Sequence, residues 1–146
     1  SHVRTGDVHS AYIPAGSADL LLSFELCEGA RTLPLLKTGG QAIINQATVT
    51  PVSTSLGKLC YDCEAMREYI ARNSNAVFVD ADSIAKECGS VKAANIVLIG
   101  VAFGLGALDV SRDSLLQALR DNVKPKFFDL NVKAFDAGVK AAKEMK

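Results

Sequence analysis

The chain has 146 residues, with 16 Lys and Arg against 16 Asp and Glu, 49% hydrophobic residues, 6% aromatics and no Trp. This composition predicts one compact soluble domain that folds on its own core, and a formal charge of zero removes the basic surface that nucleic-acid and anionic-membrane binders need. The longest uncharged stretch, Ala93 to Leu108, falls short of the roughly 20 apolar residues of a membrane span, holds Asn95 and three glycines, and reads as a buried helix.

The first residues predict a β-hairpin: His2 to Thr5, a Gly6-Asp7 turn, then Val8 to Ile13 with partial alternation, stopped by Pro14-Ala15-Gly16. No apolar segment follows Ser1 to Arg4, so no signal peptide is expected. Ala18 to Phe24 is a short apolar run, the pattern of a strand covered on both faces of a parallel sheet. Leu26, Ala30, Leu33 and Leu36 then repeat at helical spacing, which predicts a helix over Glu25 to Leu36 closed by Lys37-Thr38-Gly39-Gly40 as a glycine cap. Gln41 to Asn45 supplies the next strand. Asp62 suits the cap of a helix reaching about Asn73, and Ala76 to Asp80 follows as a further strand.

The second half is read as helical. Asp82 to Cys88 forms a short helix closed by Gly89, Lys92 to about Gly106 is the apolar helix, Ser111 caps a helix ending near Asn122, and Pro125 opens a terminal helix reaching about Lys143. On that last helix Phe128, Val132, Phe135, Val139 and Ala142 form one buried face, and Lys140, Lys143 and Lys146 complement the helix dipole. Strands alternating with helices give an α/β fold: a three-layer α/β/α sandwich with a mixed, mostly parallel sheet, an N-terminal β-hairpin and a helical C-terminal half, in a single domain over residues 1–146.

Signals for chemistry are sparse. Cys60 and Cys63 form a C-x-x-C, but no second pair or His pair stands at ligand spacing, and free Cys behaves as a small hydrophobe. The four cysteines, Cys27, Cys60, Cys63 and Cys88, suit a reducing cytoplasm better than a secreted disulfide framework. Gly39-Gly40 lies after a helix and before a strand, the wrong order for a phosphate cradle, which needs a helix N-terminus. Gly100 and Gly104, four apart, let another helix approach closely. Asn95 inside an apolar helix must bond to a neighbouring loop or to a partner subunit, because burying a bare amide costs about 1 to 3 kcal/mol. Glu25, Glu28 and Arg31 follow a parallel strand, whose carboxyl end is where open α/β sheets bind ligands. Glu28 and Arg31 are also spaced to pair with each other. No Ser/His/Asp or Cys/His set is visible, so no catalytic residue is assigned.

Taken together, Ser1 to Asp7 with Ile13 to Asp19 resembles the small, gamma-type subunit of 2-oxoacid:ferredoxin oxidoreductases. Phe24-Glu25 with Glu28 and Arg31, Leu33-Pro34-Leu35-Leu36-Lys37, Gly39-Gly40 and Ile43-Ile44-Asn45 is most similar to the beta subunit of indolepyruvate ferredoxin oxidoreductase. Ala85, Gly89, Asn95, Leu98 and Gly100, then Lys124-Pro125-Lys126 with Asn131, Ala134, Phe135 and Gly138, continue the resemblance in order. The family's first strand and glycine-rich turn into a helix are not in this sequence, so the resemblance implies an N-terminally incomplete domain whose Ala18 to Phe24 strand lacks a neighbour. The Cys60/Cys63 pair and Cys27 also depart from the family pattern.

The resemblance implies a subunit of an enzyme that oxidatively decarboxylates a 2-oxoacid to acyl-CoA with ferredoxin as electron acceptor. Thiamine diphosphate, Mg and the iron-sulfur clusters are then expected in a large partner subunit, with coenzyme A as co-substrate and ferredoxin reached through that partner. Four scattered cysteines do not make a cluster run such as C-x2-C-x2-C-x3-C-P. This chain alone is expected to be inactive and to bind no cofactor, with possible homodimer contacts and a cytoplasmic location. Substrate or interface candidates are Glu25, Glu28, Arg31, Asn45 and Asn95. Two other readings stay open. Leu35 to Gln41 also resembles the late strand entry of S-adenosylmethionine-dependent methyltransferases, and a non-catalytic α/β interaction module fits the same elements.

Overall fold

The computed structural model describes residues 1–47 and 62–145. Strand β1 (Ala18–Ser23) leads into helix α1 (Leu26–Thr32), and strand β2 (Leu36–Asn45) follows. Helix α2 (Cys63–Asn73), strand β3 (Asn75–Val79) and helix α3 (Ala81–Cys88) come next. The chain then continues through α4 (Ala94–Gly104), α5 (Arg112–Asn122) and α6 (Phe128–Glu144). The α/β class, the parallel sheet and the helical second half are as the sequence predicts. Among the described residues the sheet has three parallel strands in the order β1-β2-β3. The chain forms two compact units, residues 1–44 with 48–77 and residues 45–47 with 78–146.

In the first unit the predicted hairpin is corrected. Residues 2–13 double back at Gly6, whose φ is +97°, yet they form no strand. Side chains take the groups a ladder would use: the Ile13 N–H donates to His2 Nδ1 (3.1 Å), the Tyr12 N–H to Ser10 Oγ (3.1 Å), and Arg4 donates to the Ser10 and Tyr12 carbonyls. Such local bonds compete with sheet pairing, and an exposed two-stranded ribbon has little burial to offset them. With no antiparallel hairpin there, the sheet among the described residues is parallel rather than mixed.

The predicted helix Glu25 to Leu36 is shorter than expected. Pro34 offers no N–H to an α-helical ladder, so α1 ends at Thr32 and the chain tightens into a 3₁₀ turn at Leu33–Leu35. Lys37 to Gly40 accordingly lie inside β2 and do not cap a helix. Ala18 faces Leu36 and Leu20 faces Gln41, so two steps along β1 match five along β2. The three extra residues form a bulge, which Gly39 permits at φ +78°. Beyond it Ala42, Ile43 and Ile44 are fully buried. Asp62 caps α2 as predicted, accepting from the Ala65 N–H at 2.9 Å.

In the second unit α4 and α6 pack on each other through glycine. A β-carbon at Gly100 would enter the Phe135 carbonyl and stand 3.1 Å from the Gly138 Cα, and one at Gly104 would stand 2.7 Å from the Ala142 Cβ. The close approach expected at Gly100 and Gly104 is therefore made within this chain. It also recentres the buried face of α6: Ala134, Phe135, Gly138 and Ala142 are buried, while Phe128, Val132 and Val139 are half-buried. Asp80 caps α3, Gly89 closes it at φ +124°, and Ser111 caps α5.

Candidate functional site

The corner after β1 is built tightly. Buried Ser23 donates its hydroxyl to the Glu25 carbonyl (2.7 Å), which also accepts the Gly29 N–H (3.1 Å). A β-carbon on Gly29 would stand 3.0 Å from Ile44 Cδ1 and 3.4 Å from the Ser23 Cβ, so α1 lies directly on the strands. Glu25 occupies the N-cap position with extended backbone, yet its carboxylate makes no cap bond. Glu28 and Arg31 pair with each other through two contacts, one of them Arg31 Nε to Glu28 Oε1 at 3.1 Å. The guanidinium hydrogen bond lowers the Glu28 pKa from its usual value, and the same bond raises that of Arg31. Phe24, which the sequence reading left as the end of a strand, projects here and is 56% exposed.

Asn45, in the second unit, ends β2 and is 2% exposed. Its Oδ1 accepts the Ala81 N–H (3.1 Å), and its Nδ2 donates to Asp82 Oδ1 (2.8 Å). It ties the strand end to the first turn of α3, a positioning role. Asn95 is a correction: it lies exposed in the first turn of α4, beside exposed Val91 and Lys92, and buries no amide. The structure thus brings Glu28 to Arg31 and Asn45 to α3, and it places Asn95 in neither group.

Two clefts lie among the described residues. In the first unit a polar cleft of about 380 Å³ lies between the β2 bulge and the end of α2, edged by Lys37 and Arg72. Both cations have acidic partners, Asp19 for Lys37 and Glu68 for Arg72. In the second unit a groove of about 650 Å³ runs between α3 and α6 over Ile84, Cys88 and Val132. Cys27 and Cys88 are free thiols, and Cys60 lies outside the described residues. Among the described residues no three His, Cys, Asp or Glu side chains stand together as metal ligands, so the donors present do not fit a metal or an iron-sulfur cluster. No described helix is long and apolar enough to cross a membrane.

Residues 1–141 match the family described as pyruvate ferredoxin/flavodoxin oxidoreductase. The chain belongs to that family. It is 40% identical to the indolepyruvate oxidoreductase subunit IorB of Pyrococcus horikoshii over 99% of its length, covering 74% of that protein. It is 37% identical to the subunit of the same description from Thermococcus kodakarensis, with the same coverage. Among solved structures, the gamma subunit of a keto/oxoacid ferredoxin oxidoreductase from Geobacter sulfurreducens superposes with a TM-score of 0.62 at 25% identity, over 86% of this chain and 64% of that one. The resemblance in the sequence is therefore a family relationship, and the methyltransferase reading falls away.

Proposed function

We propose that this chain is the non-cluster, non-thiamine subunit of a cytoplasmic 2-oxoacid:ferredoxin oxidoreductase whose substrate is indolepyruvate. The observation that carries this is the relationship to indolepyruvate oxidoreductase subunits, which runs over 99% of the chain. The reaction removes CO2 from the 2-oxoacid, passes the acyl group to coenzyme A and sends two electrons to ferredoxin. Thiamine diphosphate, Mg and iron-sulfur clusters would be held by a larger partner, which would also receive ferredoxin. No step of the chemistry is assigned to the residues described here. Their part is assembly: Glu25, Glu28, Arg31 and Asn95 are accessible to a partner, and Asn45 holds the end of β2 in place.

We further propose that the edge of β1 away from β2, which has no strand partner among the described residues, is covered in the working protein, by chain outside residues 1–146 or by the partner. Support comes from the position of β1 at the sheet edge and from relatives of greater length. The test of the subunit reading is reconstitution. The chain alone is expected to show no indolepyruvate-dependent reduction of ferredoxin, and co-expression with the larger subunit is expected to restore activity dependent on both chains. Full activity of the larger subunit without this one would overturn the assignment.

A further inference from the structure

We infer that the groove between α3 and α6 receives a second copy of this chain, with α6 lying antiparallel to α6 of that copy about a two-fold axis. The inference is independent of the subunit reading above. The groove lies wholly within the second unit. Half-buried Ile84 and Cys88 with exposed Glu87 line it on α3, and half-buried Val132 and Ala137 line it on α6. The exposed charges Asp129, Lys133, Asp136 and Lys140 border it along α6. Together the α6 positions fall at i, i+3, i+4, i+7, i+8 and i+11, one stripe about 16 Å long. An apolar seam with charged borders is the surface that one helix offers to another.

The order of residues along the stripe selects the occupant. In an antiparallel two-fold contact, a residue before the axis faces the residue that lies equally far behind it in the second copy. With the axis between Ala134 and Phe135, Asp129 faces Lys140, Lys133 faces Asp136 and Val132 faces Ala137. Every charge meets its opposite, the apolar pair meets between them, and symmetry makes each contact twice. Sliding the helices by one turn sets Asp129 against Asp136 in one direction and Lys133 against Lys140 in the other, so charge admits a single register. Among the described residues Asp129, Lys133 and Lys140 enter no ion pair within the chain. Asp136 pairs with Arg112, yet its side chain is 50% exposed, and a carboxylate accepts more than one donor. A different partner would need the same reversed pattern by coincidence, whereas a second copy carries it.

The test follows the 146-residue chain by sedimentation equilibrium over a range of concentrations, with circular dichroism checking that each variant folds. Contacts through so few helices make a small interface, so the parent is expected to dimerise with a Kd of about 10 to 100 μM. Asp129→Lys and Lys140→Asp each turn two attractive pairs into repulsive ones, and each is expected to weaken the dimer by about tenfold or more. An equimolar mixture of the two variants is expected to regain the parent affinity, because in the mixed dimer both pairs are again opposite in sign. A parent that stays monomeric to about 1 mM, single variants within twofold of it, or a mixture no tighter than the variants alone overturns the inference. A chain that is monomeric alone yet loses the larger subunit on the same substitutions gives the groove to that subunit and overturns the second copy. Reconstituted activity decides the subunit reading separately.

Discussion

Asn45 shows how one buried amide carries more than its own burial. Its oxygen takes the Ala81 N–H and its nitrogen reaches Asp82, so truncation leaves a helix N-terminal donor and a carboxylate without their partner. Asn45→Ala is expected to lower the unfolding free energy by about 1 to 3 kcal/mol, measured by urea titration; an unchanged midpoint would contradict the clamp. The exposed carboxylates behave differently. Asp19 beside Lys37 and Glu28 beside Arg31 have pKa values lowered from the ordinary 3.8 and 4.5 by those cations. Their folded forms release the proton more readily than their unfolded forms. The stabilisation is therefore complete above the ordinary values and disappears as pH falls through the lowered ones. Solvent and salt screen both pairs, so the effect is small. The double variant Asp19→Asn, Glu28→Gln is expected to flatten the loss of thermal midpoint below about pH 4.5, with the difference shrinking in high salt. An acid limb identical to that of the parent would show that these pairs add nothing.

Between elements, glycine decides the geometry. The α4–α6 contact has backbone against backbone at Gly100 and Gly138, where a methyl group has nowhere to go but into a carbonyl. Gly100→Ala is expected to cost about 3 kcal/mol or more, seen as a large fall in thermal midpoint or as loss of soluble protein; near-parent stability would mean the helices separate readily. This contact was legible because four-residue glycine spacing on an apolar helix has one common physical use. The caps at Asp62 and Ser111 were legible for a similar reason, since an oxygen-bearing side chain before an apolar period acts locally. Misreadings arose where a local signal met a competing one. Helical periodicity ran through Pro34 on paper, but the ring ends the ladder, and what looked like a glycine cap became a strand bulge. The hairpin pattern lost to His2, Ser10 and Arg4, whose side chains claim the backbone. At the candidate site the Glu28–Arg31 pair followed from i, i+3 spacing. The Asn45–Asp82 bond joins residues 37 apart, and nothing in the sequence announced it. The exposure of Phe24 was equally hidden, because an apolar residue at a strand end reads as core.

At the scale of the whole molecule, the parallel sheet ends at β1 among the described residues, and the β1 backbone pairs there with β2 on one side. Leu20, Leu21 and Leu22 on this strand are all only half-buried, so partly open apolar side chains lie on a strand that has no second strand partner among the described residues. Natural proteins seldom leave such an edge bare, since it pairs with whatever extended chain it meets. If that edge is covered in the working protein, as proposed, its outward amides should differ sharply between states. Hydrogen exchange of β1 in the isolated 146-residue chain is expected to be fast at alternate amides, those pointing away from β2, and slow at the amides bonded to it. Adding the larger subunit, or extending the chain to the full length of its relatives, is expected to slow the fast set at least tenfold and leave the slow set unchanged. Whichever addition protects them identifies the neighbouring strand. Outward amides that stay fast under both additions would show that β1 is a true edge, and its leucines would then need another cover.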